Sequence, residues 1–149
     1  MTDQPATGPG PDATRASLDG SARFPLSDGG LLAVEGGDAA TFLHAQLSTD
    51  VRGMHPGDAT LTSYSDARGR VLAVPRLFAE PERFLLGLPA ARVEPVRALL
   101  ARYVLRADVR LAPVSAEHAR FGIAGQSASV ALAGAAGALP REIWRGLRT

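Results

Sequence analysis

The chain has 149 residues, 46% of them hydrophobic and 21% charged. That is one domain's worth of chain, and it can bury about two-thirds of its unfolded surface. A net charge of +1 argues against a large nucleic-acid footprint. The absence of cysteine excludes disulfides, thiol nucleophiles and thiolate ligation of metals or iron–sulfur clusters by this chain itself. All 16 basic residues are arginine, which we read as compositional drift in a GC-rich genome. No apolar run reaches the ~18 residues of a membrane span. The start lacks the basic and apolar regions of a signal peptide. It also bears Asp3, Asp12 and Asp19, unlike an acid-poor presequence, so a cytoplasmic location is expected by elimination.

Residues 1–22 are rich in Gly, Pro, Ser and Thr. They hold too little apolar surface to offset the entropy of ordering, which predicts a disordered tail. The remainder, 23–149, is expected to fold, with Phe24-Pro25-Leu26 as the docking point. Leu31 to Val34 reads as a buried strand ended by Gly36-Gly37. Asp38 is placed to cap a helix by accepting first-turn N–H groups. That helix spans Ala39 to about Leu47 with Phe42, Leu43 and Leu47 on one face. Ser48-Thr49-Asp50 re-caps, and Val51 returns to the core.

Pro56-Gly57 predicts a type II turn. Thr60 to Ser65 alternates as a strand, Asp66-Ala67-Arg68-Gly69 is a hairpin turn, and Arg70 to Phe78 is the returning strand. Pro75 must sit where no ladder N–H is needed. Glu80 to Arg83 turns into a third strand, Phe84 to Leu88. Pro89 opens an amphipathic helix whose apolar positions run from Val93 through Leu100 to Tyr103 and Val104, with Arg92, Arg97, Arg102 and Arg106 mostly outside. Strands follow at Asp108–Val114 and Arg120–Ala124. A small-residue helix is expected over Gln126–Ala136, then an aperiodic end with Trp144 as a docking residue. The class is α+β, with helices on one face of a mainly antiparallel sheet.

No motif is specific alone. The glycine pairs lack the spacing and lysine of a phosphate loop. His44, His55 and His118 lack partners at ligand spacing, and nothing marks a base for Ser63 or Ser65. Arg68 and Arg70 beside the hairpin turn form either a bidentate carboxylate or phosphate site or a solvated, charge-paired turn. Gln46 and Asp50 face the same hairpin, either as wall or as capping groups.

As a set, the pieces resemble the first domain of the YgfZ family of folate-binding proteins, related to the aminomethyltransferase of glycine cleavage. The matching residues are Leu32 to Val34, Gly36, Asp38-Ala39, Phe42-Leu43, Gln46-Leu47, Asp50-Val51, Asp66 to Arg70 and Tyr103 to Arg106, in order. The resemblance covers about Leu31 to Leu139. It implies a ferredoxin-like first domain of a three-domain ring around a folate cavity, and a role in iron–sulfur cluster assembly or repair in client enzymes, tRNA-modifying ones among them. It implies tetrahydrofolate as ligand, with Gln46 and Asp50 shaping the wall, Tyr64 stacking or hydrogen-bonding, and Arg68 and Arg70 meeting an anionic glutamate tail. Neither membrane nor nucleic acid is an expected partner.

Three departures stand out. The family's cysteine-bearing signature lies beyond the length of this chain, so the chain is expected to be an incomplete first-domain form. A tryptophan common at the start of the first strand is replaced by Gly29 or Gly30. The aspartate pair of the transferases corresponds to Ala73-Val74, and a preceding aromatic to Leu61, which disfavours aminomethyl transfer. The alternatives are therefore a folate-dependent aminomethyltransferase relative and an isolated interaction domain without folate activity.

Overall fold

The computed structural model describes residues 20–128 and residue 130. Most of the tail read at residues 1–22, most of the small-residue helix and Trp144 lie outside them. The chain divides into two compact units, and each is described by itself.

The smaller unit contains a two-stranded antiparallel ribbon of β1 (Ala22–Pro25) and β9 (Phe121–Ala124). Ala22 is thus in a strand rather than in a tail. Phe24 pairs with Gly122, and its ring lies where a Cβ on Gly122 would be, 2.3 Å away. Arg23 stacks over Phe121, 4.4 Å from its centroid, a cation–π contact that covers part of an otherwise exposed ring.

The larger unit, whose described part is Asp28–Ala119, is built on β2 (Gly29–Glu35), α1 (Ala39–Gln46), β3 (Ala59–Leu61), β4 (Tyr64–Ser65), β5 (Val71–Ala73), β6 (Arg76–Ala79), β7 (Arg83–Pro89), α2 (Ala90–Ala101) and β8 (Arg110–Pro113). Five strands form one sheet in the order β3-β6-β7-β2-β8, every pair antiparallel. With β3 set aside as an added edge, the path β2-α1-β6-β7-α2-β8 is the βαββαβ ferredoxin-like arrangement, as the sequence leads one to expect.

Alternation along the central strands sorts the sheet's two faces. Leu32 and Val34 of β2, Leu86 and Leu88 of β7 and Leu77 of β6 join Phe42 and Leu43 of α1 and Val93, Val96 and Leu100 of α2 in the main core. Leu31, Ala33 and Leu85 face the other way, with Val114, in a smaller cluster. A one-residue slip would exchange these faces, so burial itself sets the register.

Four expectations change. The hairpin strands read as Thr60–Ser65 and Arg70–Phe78 are each two strands: β3 and β6 stay in the main sheet, while β4 and β5 form a separate pair. The breaks fall at Thr62-Ser63 and Val74-Pro75, where fully buried Pro75 supplies no N–H. The second helix ends at Ala101. A turn follows in which Leu105 takes φ +44°, so Tyr103, read on the apolar face, is exposed. Pro95, a residue the periodicity ignores, lies inside that helix. Lastly, Asp38 occupies the cap position of α1 without making a side-chain cap.

The Asp38 carboxylate instead accepts the backbone N–H of Asp108 at 2.9 Å. The Asp108 carboxylate in turn accepts the N–H of Gly37 at 3.0 Å, and Asp38 N–H donates to the Asp108 carbonyl. This exchange binds the β2–α1 loop to the segment entering β8. It needs Gly36, whose φ of +113° favours glycine and whose Cβ would stand 2.1 Å from the Asp108 carbonyl oxygen. Gly36→Ala combines a left-handed backbone with a main-chain clash. We expect a loss of about 2 kcal/mol or more of unfolding free energy, read by urea denaturation. Gly53→Ala, with nothing within 4 Å of the added Cβ, is the control.

Candidate functional site

Pro75 cannot donate to the sheet ladder, so the ladder stops at this level. The exit of α1 pairs with the residues that follow on the other arm. Leu47 bridges to Tyr64. Ser48 N–H donates to the Ser63 carbonyl at 3.0 Å, the Ser48 hydroxyl accepts Ser63 N–H at 3.0 Å, and it lies 3.3 Å from the Thr62 hydroxyl. Only Thr62 N–H still reaches back, to the Pro75 carbonyl at 3.1 Å. The β4–β5 hairpin therefore leaves the sheet and is seated on the end of α1, which brings Gln46 and Asp50 into the same region of the chain as the hairpin base.

Asp66 organises the tip. One carboxylate oxygen accepts the N–H groups of Arg68 (2.9 Å) and Arg70 (3.0 Å), and the other accepts Arg70 Nε at 2.7 Å. Gly69 N–H closes on the Asp66 carbonyl and Asp66 N–H on the Arg70 carbonyl. With Gly69 at φ +77° this is a three-residue loop with a left-handed glycine. The backbone N–H of Arg70, and then its guanidinium, hold the Asp66 carboxyl below the usual carboxylate range.

The five predicted site residues are thus not equivalent. Arg70 is committed to Asp66. Arg68 is exposed, and its guanidinium has no partner among the described residues. Tyr64 is only 4% exposed and belongs to the core cluster, so its ring face is packed against protein. Burial raises its phenol pKa, Tyr103 adds to the rise and Arg102 opposes it. Asp50 is exposed. It accepts the N–H of Arg52 at 3.2 Å and lies 3.1 Å from His44 Nδ1, off the direction of a hydrogen bond. Gln46 is half-buried at the end of α1. His44 faces Asp50. Helical periodicity places a residue on a face, not against the loop that follows.

Leu61, Val71 and Val74 stay exposed, the two valines at 59%. Gly30 sits under the first turn of α2, where an added Cβ would be 2.3 Å from Val93. A tryptophan at that position would displace the helix. Elsewhere, a hollow of about 630 Å³ is lined by Glu35, Glu80, Pro81, Glu82 and Arg83. Its one cation, Arg83, is engaged by Glu80 at 2.6 Å, with Glu35 at 3.7 Å and Glu117 at 3.8 Å. That charge balance suits a structural network rather than an anionic ligand.

No protein-family model matches the chain. It is 31% identical over 127 residues to the tRNA-modifying protein YgfZ of Shigella sonnei, and 32% identical over the same length to that of Escherichia coli O157:H7. Its fold matches the glycine cleavage system aminomethyltransferase T of Bartonella henselae with a TM-score of 0.74 at 21% identity, over 90% of this chain. The chain forms a YgfZ-like domain with an aminomethyltransferase-type fold. It spans 39% of the length of these YgfZ relatives and 37% of the aminomethyltransferase. Ala73 faces Tyr64 across the hairpin, and Val74 stands at the break. Among the described residues, no helix is long and apolar enough to cross a membrane.

Because the folded pKa of Asp66 is depressed, its contribution to hairpin order is present above the unfolded value of about 4 and is lost as pH falls below it. Amide resonances of residues 66–70 should shift together in an acid titration through that window. Asp66→Asn should abolish the titration and loosen the tip already at neutral pH. An unaltered acid transition in the variant would show that another group controls the turn.

Proposed function

We propose that this YgfZ-like domain contributes one wall of a tetrahydrofolate site and that it serves iron–sulfur cluster assembly or repair in client enzymes of the cytoplasm. The observation behind this is the Arg68 guanidinium, without a partner among the described residues, on a turn that Asp66 holds fixed. A pre-positioned cation at a rigid tip suits the carboxylates of a glutamate tail, because little ordering entropy is lost on binding. Arg70 lends its charge from within the Asp66 pair. Gln46 and Asp50 line the approach at the end of α1, and Tyr64 forms the floor beneath the hairpin. The packed ring of Tyr64 does not offer a stacking face, and Gly30 leaves no room for one, so pterin binding falls to groups other than these.

The exposed Leu61, Val71 and Val74 favour a second reading, an interaction domain whose hairpin is covered by another protein surface. Calorimetric titration with tetrahydrofolate separates the two. Arg68→Ala should weaken binding about tenfold, the worth of a charge-assisted hydrogen bond. Arg97→Ala, which removes a cation already paired with Glu94 on α2, should leave it unchanged. Equal effects would place the ligand on another face, and no binding by this chain or by a longer form containing it would remove the folate reading.

A further inference from the structure

The hairpin that bears Arg68 is not regular. Tyr64 pairs with Ala73, but its neighbour Ser65 pairs with Val71. Leu72 is therefore the extra residue of a β-bulge, opposite no partner of its own. A bulge bends and twists the strand that contains it, and so re-aims whatever lies beyond it. Here that is the turn with Asp66, Arg68 and Arg70. A bulged residue also leaves a backbone group outside the ladder, and that group needs a partner.

Arg92, in the first turn of α2, donates from Nη2 to the Leu72 carbonyl at 2.7 Å. The bond joins residues 20 apart in sequence and ties the bulge to a helix whose Val93 and Val96 are buried in the core. The sequence places Arg92 on the solvated side of that helix, beside Arg97. The two differ: Arg97 pairs with Glu94 within α2, whereas the only hydrogen bond of the Arg92 side chain among the described residues crosses to the hairpin.

We propose that Arg92 is a positioning residue: it fixes the bulge at Leu72 and thereby the direction in which the hairpin presents Arg68. The inference rests on the proposed folate site for its functional meaning, but the geometry it describes is tested independently. The guanidinium suits the task because its planar fork keeps a second face of donors toward water while one nitrogen is engaged.

Hydrogen exchange of the whole chain, followed residue by residue, supplies the test, with tetrahydrofolate titration beside it. Arg92→Ala should speed exchange at Val71, Leu72 and Ala73 about tenfold and leave Leu32 and Leu86 in the central strands unchanged. Arg92→Lys, which keeps a donor able to reach the Leu72 carbonyl, should restore most of the protection, and Arg97→Ala should match the parent. Where tetrahydrofolate binds, Arg92→Ala should weaken it severalfold although Arg92 does not touch the ligand, and Arg92→Lys should recover most of that loss. Unchanged exchange at the bulge in Arg92→Ala would overturn the proposal. So would equal acceleration in Arg97→Ala. If the parent binds no tetrahydrofolate, the folate reading fails alone, and the exchange pattern still decides whether Arg92 sets the bulge.

Discussion

The missing N–H of Pro75 is the constraint on which this structure turns. A long two-stranded extension of the sheet would require the inward-facing N–H and C=O groups of both arms, those of alternate residues, to pair in one ladder. Pro75 breaks the ladder on one arm, and Thr62-Ser63 break it at the same level on the other. Beyond that level the arm that carries Thr62-Ser63 finds a second partner. Ser48 pairs with the backbone of Ser63 and meets the hydroxyl of Thr62, which ties this arm to the end of α1. The sheet ends, and the hairpin continues on a different support.

That change of support links packing to function. Below the break, Leu77, Leu86, Leu32 and Val34 run across three adjacent strands under the two helices. Above it, the hairpin is held by α1 through Leu47 and Ser48, by α2 through Arg92, and internally by Asp66. Each hold is polar and local, and individually modest. Together they define the position of one exposed cation while Val71 and Val74 remain bare. A charged group on a defined, partly exposed arm is a poor contributor to stability and a good one to recognition.

The fold was legible where burial enforced a period. β2, α1, β7 and the body of α2 follow from apolar positions at spacings of two or of three and four, and the ferredoxin-like path follows from their order. The same logic failed where polar bookkeeping decided the outcome. Asp38 has the side chain of a helix cap, yet Asp108, 70 residues away, offered it a better donor. Tyr103 continues the apolar stripe of α2 in sequence, but the helix stops two residues earlier, at Ala101, and in the turn that follows Leu105 goes left-handed. The break at Pro75 was readable as a need, not as a change of sheet.

The candidate site shows the same division. Asp66 to Gly69 announces a turn, and the structure confirms one. Which arginine the turn consumes was not readable, since Arg68 and Arg70 are equally basic and both lie within four residues of Asp66. Only the bond from Arg70 Nε to Asp66 separates them. Tyr64, an aromatic that could stack or hydrogen-bond, is instead packed into the core. Arg92 gave no signal, because a surface arginine of a helix looks the same whether it meets water or a bulged carbonyl.

The measurement that bears most directly on this account is a tetrahydrofolate titration followed by amide chemical shifts across the chain. The account predicts shifts that concentrate at Ala67 to Arg70, spread to residues 46–50 at the end of α1, and leave the Glu94–Arg97 side of α2 unmoved. Shifts centred on the Glu35–Arg83 hollow or on α2, with the hairpin silent, would contradict it.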